Sequence, residues 1–327
     1  MYRQQLLPAF TADEYKKAHY LLATRVAFMM GRKFEEGDWS NVYCAARGIP
    51  ETGWSNLNID VIFKNQGIEH KMLCVRNSNI LSSCGCTLMH PSATRSIRLP
   101  SLDIDPNDAM KDILNQYAEF LEQRRQMVLD SAEDYHDADM RTGWLLWQES
   151  LREFLYFEER TQIPNPDEYS AQWVFNTPRG ARKPSKNLWI FEKDTGKKRY
   201  SITTTAGAKI QPYFDVPAVG AENLYHFIVI GEQIAVDAVR IWVTEPTYQN
   251  LSHLLNGDLS KENLSNTILS VAEKLKDATF AETYNYERAH CLLVTKDAYS
   301  AIQTVLPGVN DDNSMQLLVG YLSEQQA

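Results

Sequence analysis

Asp60, Glu69 and Lys71 are the residues of this sequence whose types and spacing combine into a chemistry. They make the pattern D-x8-E-x-K across two short apolar runs, 58–64 and 68–76, that read as the strands of a hairpin joined by Asn65-Gln66-Gly67. If that turn sets Ile62 opposite Glu69, Asp60 falls opposite Lys71, and same-face partners on adjacent strands approach to about 5 Å. The three side chains then share a face with Asn58, Ile62 and Leu73, while Val61, Phe63, Ile68 and Met72 point into a core. Asp60 and Glu69, with the backbone carbonyl of His70 between them, offer the hard oxygen donors that Mg²⁺ prefers, with Mn²⁺ as a substitute. A cation so held lowers the pKa of its bound water, and an ammonium beside it orients that water and offsets charge on a phosphodiester under attack. The same residues also suit an ordinary cross-strand salt bridge, which is nearly neutral in energy.

Several elements must position this set. Thr11 and Glu14 form a capping-box pair, and Tyr15, Ala18, Leu22, Val26 and Met29 recur at helical spacing, predicting a helix over residues 11–31. Asp105 as N-cap and Pro106 at the first helical position open a second long helix, with Met110, Ile113, Tyr117, Phe120 and Leu121 inward, ending before Asp137. Residues 141–160, rich in Trp144, Trp147, Phe154, Tyr156 and Phe157, read as a third helix with an aromatic core stripe. Thr161 to Asp167 holds two prolines and reads as a linker, which divides the chain into residues 1–160 and 168–327. Beyond it, strands are expected at 188–191 and 199–204 around Asp194-Thr195-Gly196, and a strand pair at 225–230 and 235–243 around Gly231-Glu232. Helices follow at 247–256 and 260–276, then a strand at 290–295 and a short helix from Asp297. The expected fold class is α/β, a mixed central sheet flanked by helices with a second mixed α/β half.

Composition bounds the function. The 327 residues are 44% hydrophobic and 23% charged, an ordinary globular balance, and no run of about 18 apolar residues exists, so no membrane span is expected. Five cysteines, Cys44, Cys74, Cys84, Cys86 and Cys291, are an odd number in a chain of this size and fit free thiols in the cytoplasm. Cys84-x-Cys86 with His90 supplies three donors without a fourth and argues against structural zinc. Phosphate-loop, dinucleotide, nucleophile-elbow and zincin motifs are all missing from the sequence. Net charge is −9, yet Arg179, Arg182, Lys183, Lys186, Lys193, Lys197, Lys198 and Arg199 face only Glu192 and Asp194 within 21 residues. That local excess suits a grip on a polyanion, or a solvated hairpin. His90, Arg95, Arg98, Arg179, Arg182, Lys183, Lys186, Lys197, Lys198 and Arg199 are the candidate DNA contacts.

The capped helix at Thr11, Asn58-Ile59-Asp60, Ile68-Glu69-His70-Lys71 and the helix from Pro106 together resemble the PD-(D/E)XK nuclease superfamily over residues 11 to about 130. Ile59 stands where that motif commonly has proline. The resemblance implies a restriction-endonuclease-like core and metal-dependent DNA cleavage by Asp60, Glu69 and Lys71. It also implies an assisting acid from the first helical region, with Glu14, Glu35 and Glu36 as candidates. The two-part plan is similar to a type II or modification-dependent restriction endonuclease. That implies double-stranded DNA as partner, methylated cytosine as a substrate feature, and a homodimer to cut both strands. The rival expectation is a catalytically silent DNA- or partner-binding protein in which Lys71 balances the two acids.

Overall fold

A computed structural model of the chain describes residues 4–29, 32–50, 59–76, 79–91, 96–99, 101–132, 135–176, 185–204, 208–277 and 289–326. In chain order the elements are β1 (Leu6–Leu7), α1 (Ala12–Ala27), α2 (Glu36–Arg47), β2 (Val61–Phe63), β3 (Gln66–Val75), β4 (Thr87–Met89) and β5 (Ser96–Ile97). There follow α3 (Pro106–Asp130), β6 (Asp139–Gln148), β7 (Glu153–Arg160), β8 (Tyr169–Asn176), β9 (Ser185–Glu192), β10 (Lys198–Thr203) and β11 (Ala208–Asp215). The remainder is β12 (Tyr225–Ile228), β13 (Glu232–Ala235), β14 (Ala238–Thr244), α4 (Glu245–Leu254), α5 (Lys261–Val271), β15 (Ala289–Val294), α6 (Lys296–Val305) and α7 (Asp311–Gln326). The fold is mixed α/β. No described helix is long and apolar enough to cross a membrane.

The first sheet runs β1-β7-β6-β3-β2, with β12 sharing the β7 edge with β1. β3 and β6 are parallel along their whole length, and every other pairing in the sheet is antiparallel. α1 and α2 cover one face through Leu22, Val26, Trp39 and Tyr43 against Val61, Ile68, Leu145 and Phe154. The other face carries Val75, Trp144, Leu146 and Phe157 on one side and Ile59 with Ile62 on the other, the latter pair under Val128 of α3. A second sheet, β4-β11-β10-β9-β8 with β5 also on β11, lays Leu188, Ile190, Ile202 and Ile210 on the N-terminal half of α3. A third, β13-β14-β15, packs with α5, α6 and α7.

Local chemistry sets the two long helices as the sequence implies. Thr11 and Glu14 close a reciprocal capping box on α1. Asp105 accepts from Asn107 and Asp108 ahead of Pro106 on α3.

Three expectations change. Residues 141–160 form no helix but the β6–β7 hairpin, turned at 149–152. β6 is buried on both faces, so its apolar run has no alternation to separate strand from buried helix. The expected pair at 225–230 and 235–243 is also broken: β12 joins the first sheet, and β14 pairs instead with β13 and β15. Lastly, the halves interleave. β4 and β5, from before residue 160, belong to the second sheet, and β12, from after it, belongs to the first.

Candidate active site

The β2–β3 hairpin pairs Val61 with Ile68, Ile62 with Gly67 and Phe63 with Gln66, closed by a turn at Lys64 and Asn65. This register differs by two residues from the one expected from sequence, so its continuation would set position 60 opposite Glu69 rather than Lys71, although the pairing itself stops at Val61. A slip of two preserves the face of every side chain, whereas a slip of one would have scattered them. Gly67 is in the strand, not the turn. A Cβ there would lie 2.5 Å from Val128 Cγ2 and 2.9 Å from Met140 Sδ, so the glycine lets α3 approach the hairpin.

β2 is only three residues long, and beyond it no described strand pairs with this edge of β3, where the Asp60 side chain stands. Its Oδ2 accepts the backbone N–H of His70 at 2.6 Å. A strand residue sends its N–H and C=O to the same edge, so the His70 carbonyl faces this edge as well. Lys71 Nζ donates to Glu69 Oε1 at 2.6 Å, and the guanidinium of Arg124 on α3 donates to Glu69 Oε2. These three side chains are only 13–17% exposed. The Arg124 guanidinium also lies over the Phe120 ring.

Glu36, the first residue of α2, completes the cluster. One turn on, Ser40 Oγ meets His70 Nδ1 at 3.1 Å, which ties the start of α2 to β3. Burial, the Glu69 charge and the Glu36 charge together push the Asp60 carboxyl up to about 7, against the lowering pull of the His70 N–H and Lys71. Glu36 is itself pushed up, first by burial and also by Glu69, with Lys71 opposing. Of the three acids considered from the sequence, Glu14 serves the cap of α1 and Glu35 that of α2. Glu36 feels the charges of Lys71 and Glu69.

The His70 side chain points away from this edge into the core. It is fully buried against Trp39, Tyr43 and Tyr156, and burial pushes it down to about 3, so the ring is neutral. Only its backbone faces the acids.

The donor set fits Mg²⁺ in kind: carboxylate and carbonyl oxygens, and three acids against two cations. A divalent ion would offset the burial and the acid repulsion that together hold Asp60 at about 7. Among the described residues no three His, Cys, Asp or Glu side chains are gathered tightly enough to hold an ion as they stand. Glu69 is turned onto Lys71 and Arg124, so it must release one of them to ligate.

Among the described residues, those expected to touch DNA do not form one surface. His90 is buried, with Nε2 2.9 Å from the Met72 carbonyl and its ring against Trp144, a corrected assignment because a buried ring cannot meet a phosphate. Arg199 is likewise buried, ion-paired to Asp215 at 2.9 Å and Glu192 at 3.6 Å. Lys197 reaches the same Asp215 at 3.2 Å. Lys186 lies over Trp173 and Phe175 and donates to the Leu102 carbonyl, while Lys198 lies over Trp189 and Tyr213. Arg98 is exposed, its backbone held by Gln116. Arg95, Arg179, Arg182 and Lys183 lie outside the described residues, as does Asn58. All five cysteines are free thiols.

Arg124 was not among the residues expected at the site, although the sequence carries a signal for it. Met110, Ile113, Leu114, Leu121 and Val128 make the buried stripe of α3, and Arg124 falls between the last two at the spacing of that stripe. Its neighbour Arg125 is the solvated one, pairing with Glu122 and Asp137, each at 3.0 Å. No family model, no curated protein and no solved structure matches this chain.

Proposed function

We propose that this chain is a Mg²⁺-dependent DNA endonuclease of the PD-(D/E)XK type, with Asp60, Glu69 and Lys71 as its catalytic residues and Glu36 as the assisting acid. One observation carries the reading: the carboxylates of Asp60, Glu69 and Glu36 and the ammonium of Lys71 act on one another beside β3, with Asp60 held at about 7 by burial and by the two neighbouring acids. Asp60, Glu69, Glu36 and the His70 carbonyl would hold the ion, with Mn²⁺ as a substitute. When bound, Mg²⁺ supplies charge stabilisation to the phosphodiester and acidifies a water.

The chain's own residues do the rest. Lys71, beside the acids on the same strand, orients the attacking water and offsets charge growing on a phosphate oxygen. Asp60 accepts the His70 N–H and thereby fixes the edge against which the scissile phosphate lies. Arg124 holds Glu69 until substrate competes for it, and its guanidinium then suits a phosphate oxygen. Duplex cutting calls for two such sites, so a homodimer on double-stranded DNA follows from the reading, with a type II, modification-dependent enzyme as its narrower form.

A second reading has support in the double pairing of Glu69, since an acid already satisfied by Lys71 and Arg124 also suits a silent ion-pair network in a DNA- or partner-binding protein. Plasmid cleavage separates the two. With Mg²⁺, wild-type protein should linearise methylated or unmethylated plasmid, and Lys71→Ala should lower the rate by about 10²–10³. Equal cutting by the variant, or absence of cutting on both substrates, rejects the nuclease assignment.

A further inference from the structure

β3 and β6 lie side by side and parallel, and at their C-terminal ends, Val75 and Gln148, a crevice of about 780 Å³ opens toward the third sheet and the first turn of α6. Carboxyl ends of parallel strands and junctions between packed units are where small ligands commonly bind, and the volume is that of an ordinary ligand pocket. It is separate from the acid cluster. Five residues of strand, Lys71 to Arg76, span about 16 Å.

The lining is unbalanced in charge. Arg76 projects from the end of β3, Arg152 from the β6–β7 turn and Lys296 from the start of α6, while Glu149 is the one acid in the wall among the described residues. Among the described residues none of the three cations has a carboxylate within 4.0 Å. Arg199, Arg141 and Arg124, by contrast, are each tied to an acid. Three cations from three separate elements line this concave surface against one lining acid among the described residues, with the buried Asp311 behind the wall also feeling Arg152.

The wall is also preformed. Asp311 accepts the Gly231 N–H at 3.1 Å and the Tyr299 hydroxyl at 3.2 Å, which locks the β12–β13 junction onto α6 and α7. Gln303, further along α6, also lines the crevice, and its buried amide nitrogen has no acceptor among the described residues.

We propose that this crevice binds a phosphate-bearing ligand through Arg76, Arg152 and Lys296. The phosphate is either that of a free nucleotide or a backbone phosphate of a nucleic acid strand running on from the acid cluster. The inference does not depend on the nuclease reading, since neither Asp60 nor Lys71 takes part.

Calorimetric titration of the full chain with inorganic pyrophosphate, with a nucleoside triphosphate and with a short DNA duplex distinguishes the sources. Wild type should bind at least one of the three, and Arg76→Ala/Arg152→Ala should bind it at least about tenfold more weakly. Arg76→Lys/Arg152→Lys should recover part of the loss, and Lys16→Ala, an exposed change on α1 outside the crevice lining, should leave binding as in wild type. A far-UV spectrum and Tm matching wild type establish that each variant is folded. Loss confined to pyrophosphate or the triphosphate identifies a small-molecule site, and loss confined to the duplex identifies a backbone contact. Failure of wild type to bind any of the three, or equal binding by the double alanine variant, overturns the proposal.

Discussion

Two ion clusters sit on the same sheet and teach different things. In one, Glu158 is fully buried: Oε2 accepts from Arg141 at 2.9 Å, and Oε1 accepts the Tyr43 and Tyr156 hydroxyls at 2.7 and 2.9 Å. Arg141 also pairs with Asp139 at 2.5 Å, and Arg160 stands 3.6 Å from the same acid. Burial, then the Glu158 charge, pushes both phenols well up, so they remain donors. Hydrogen bonds to Asp139 and Glu158 hold the Arg141 guanidinium above its ordinary value despite the opposing effect of burial. This cluster is closed, with each charge answered by a partner of its own chain.

The cluster of Asp60, Glu36, Glu69, Lys71 and Arg124 is made from similar parts and is not closed. Its acids outnumber its cations, and Asp60 is left at about 7. Proximity of carboxylates to a base is therefore insufficient to mark a site; an excess of acids over cations among the described residues, with one carboxyl pushed up to about 7, is the distinguishing feature.

Substitutions should separate the two clusters, and the largest effect is expected in the closed one. Glu158→Ala strands Arg141 and two phenols in the core and should cost about 3–5 kcal/mol in denaturant unfolding. Asp60→Asn should act in the opposite direction. Folded Asp60 keeps, between pH of about 4 and 7, a proton that the unfolded chain has already lost. Wild-type stability therefore falls as pH rises through that window and levels off above it. The amide oxygen of the substituted side chain still accepts the His70 N–H without the charge, so the variant should gain roughly 1–3 kcal/mol above pH 7 and nothing below about pH 4. Thermal unfolding across that range checks it, and a gain independent of pH would remove the electrostatic explanation.

Adjacent arginines sharpen the contrast further. Arg124→Ala withdraws a charged hydrogen bond from half-buried Glu69 and should cost about 1–3 kcal/mol, whereas Arg125→Ala on the solvated side should cost no more than about 0.5 kcal/mol. Equal losses would mean that Arg124 does no more than a surface residue.

What could be read from the sequence was what local physics decides. Strand alternation put Glu69 and Lys71 on one face of β3, which an even error in register leaves unchanged, while Asp60 lies just ahead of β2 and meets β3 through its side chain. Thr11 with Glu14 and Asp105 with Pro106 announced their helices through caps that need no tertiary partner. Non-local pairing was hidden. Leu145 and Leu146 are both buried, one on each face of β6, and only the neighbouring strands β3 and β7 reveal them as strand rather than helix. Gly67 looked like a turn residue because its packing against Val128, 61 positions away, has no local trace. Lys186, Lys198 and Arg199 looked like one basic surface, but aromatic rings and buried acids divide them.

The central claim, that the open cluster is short of a cation, is tested most directly by calorimetric titration of Mg²⁺ into wild type and Asp60→Asn at pH 6 and pH 8. Wild type should bind more tightly at pH 8 and release a proton on binding at pH 6, because the ion displaces the one held by Asp60. Asp60→Asn should bind weakly and without that dependence on pH. Binding of equal strength in both proteins, or none in wild type at either pH, would contradict the account.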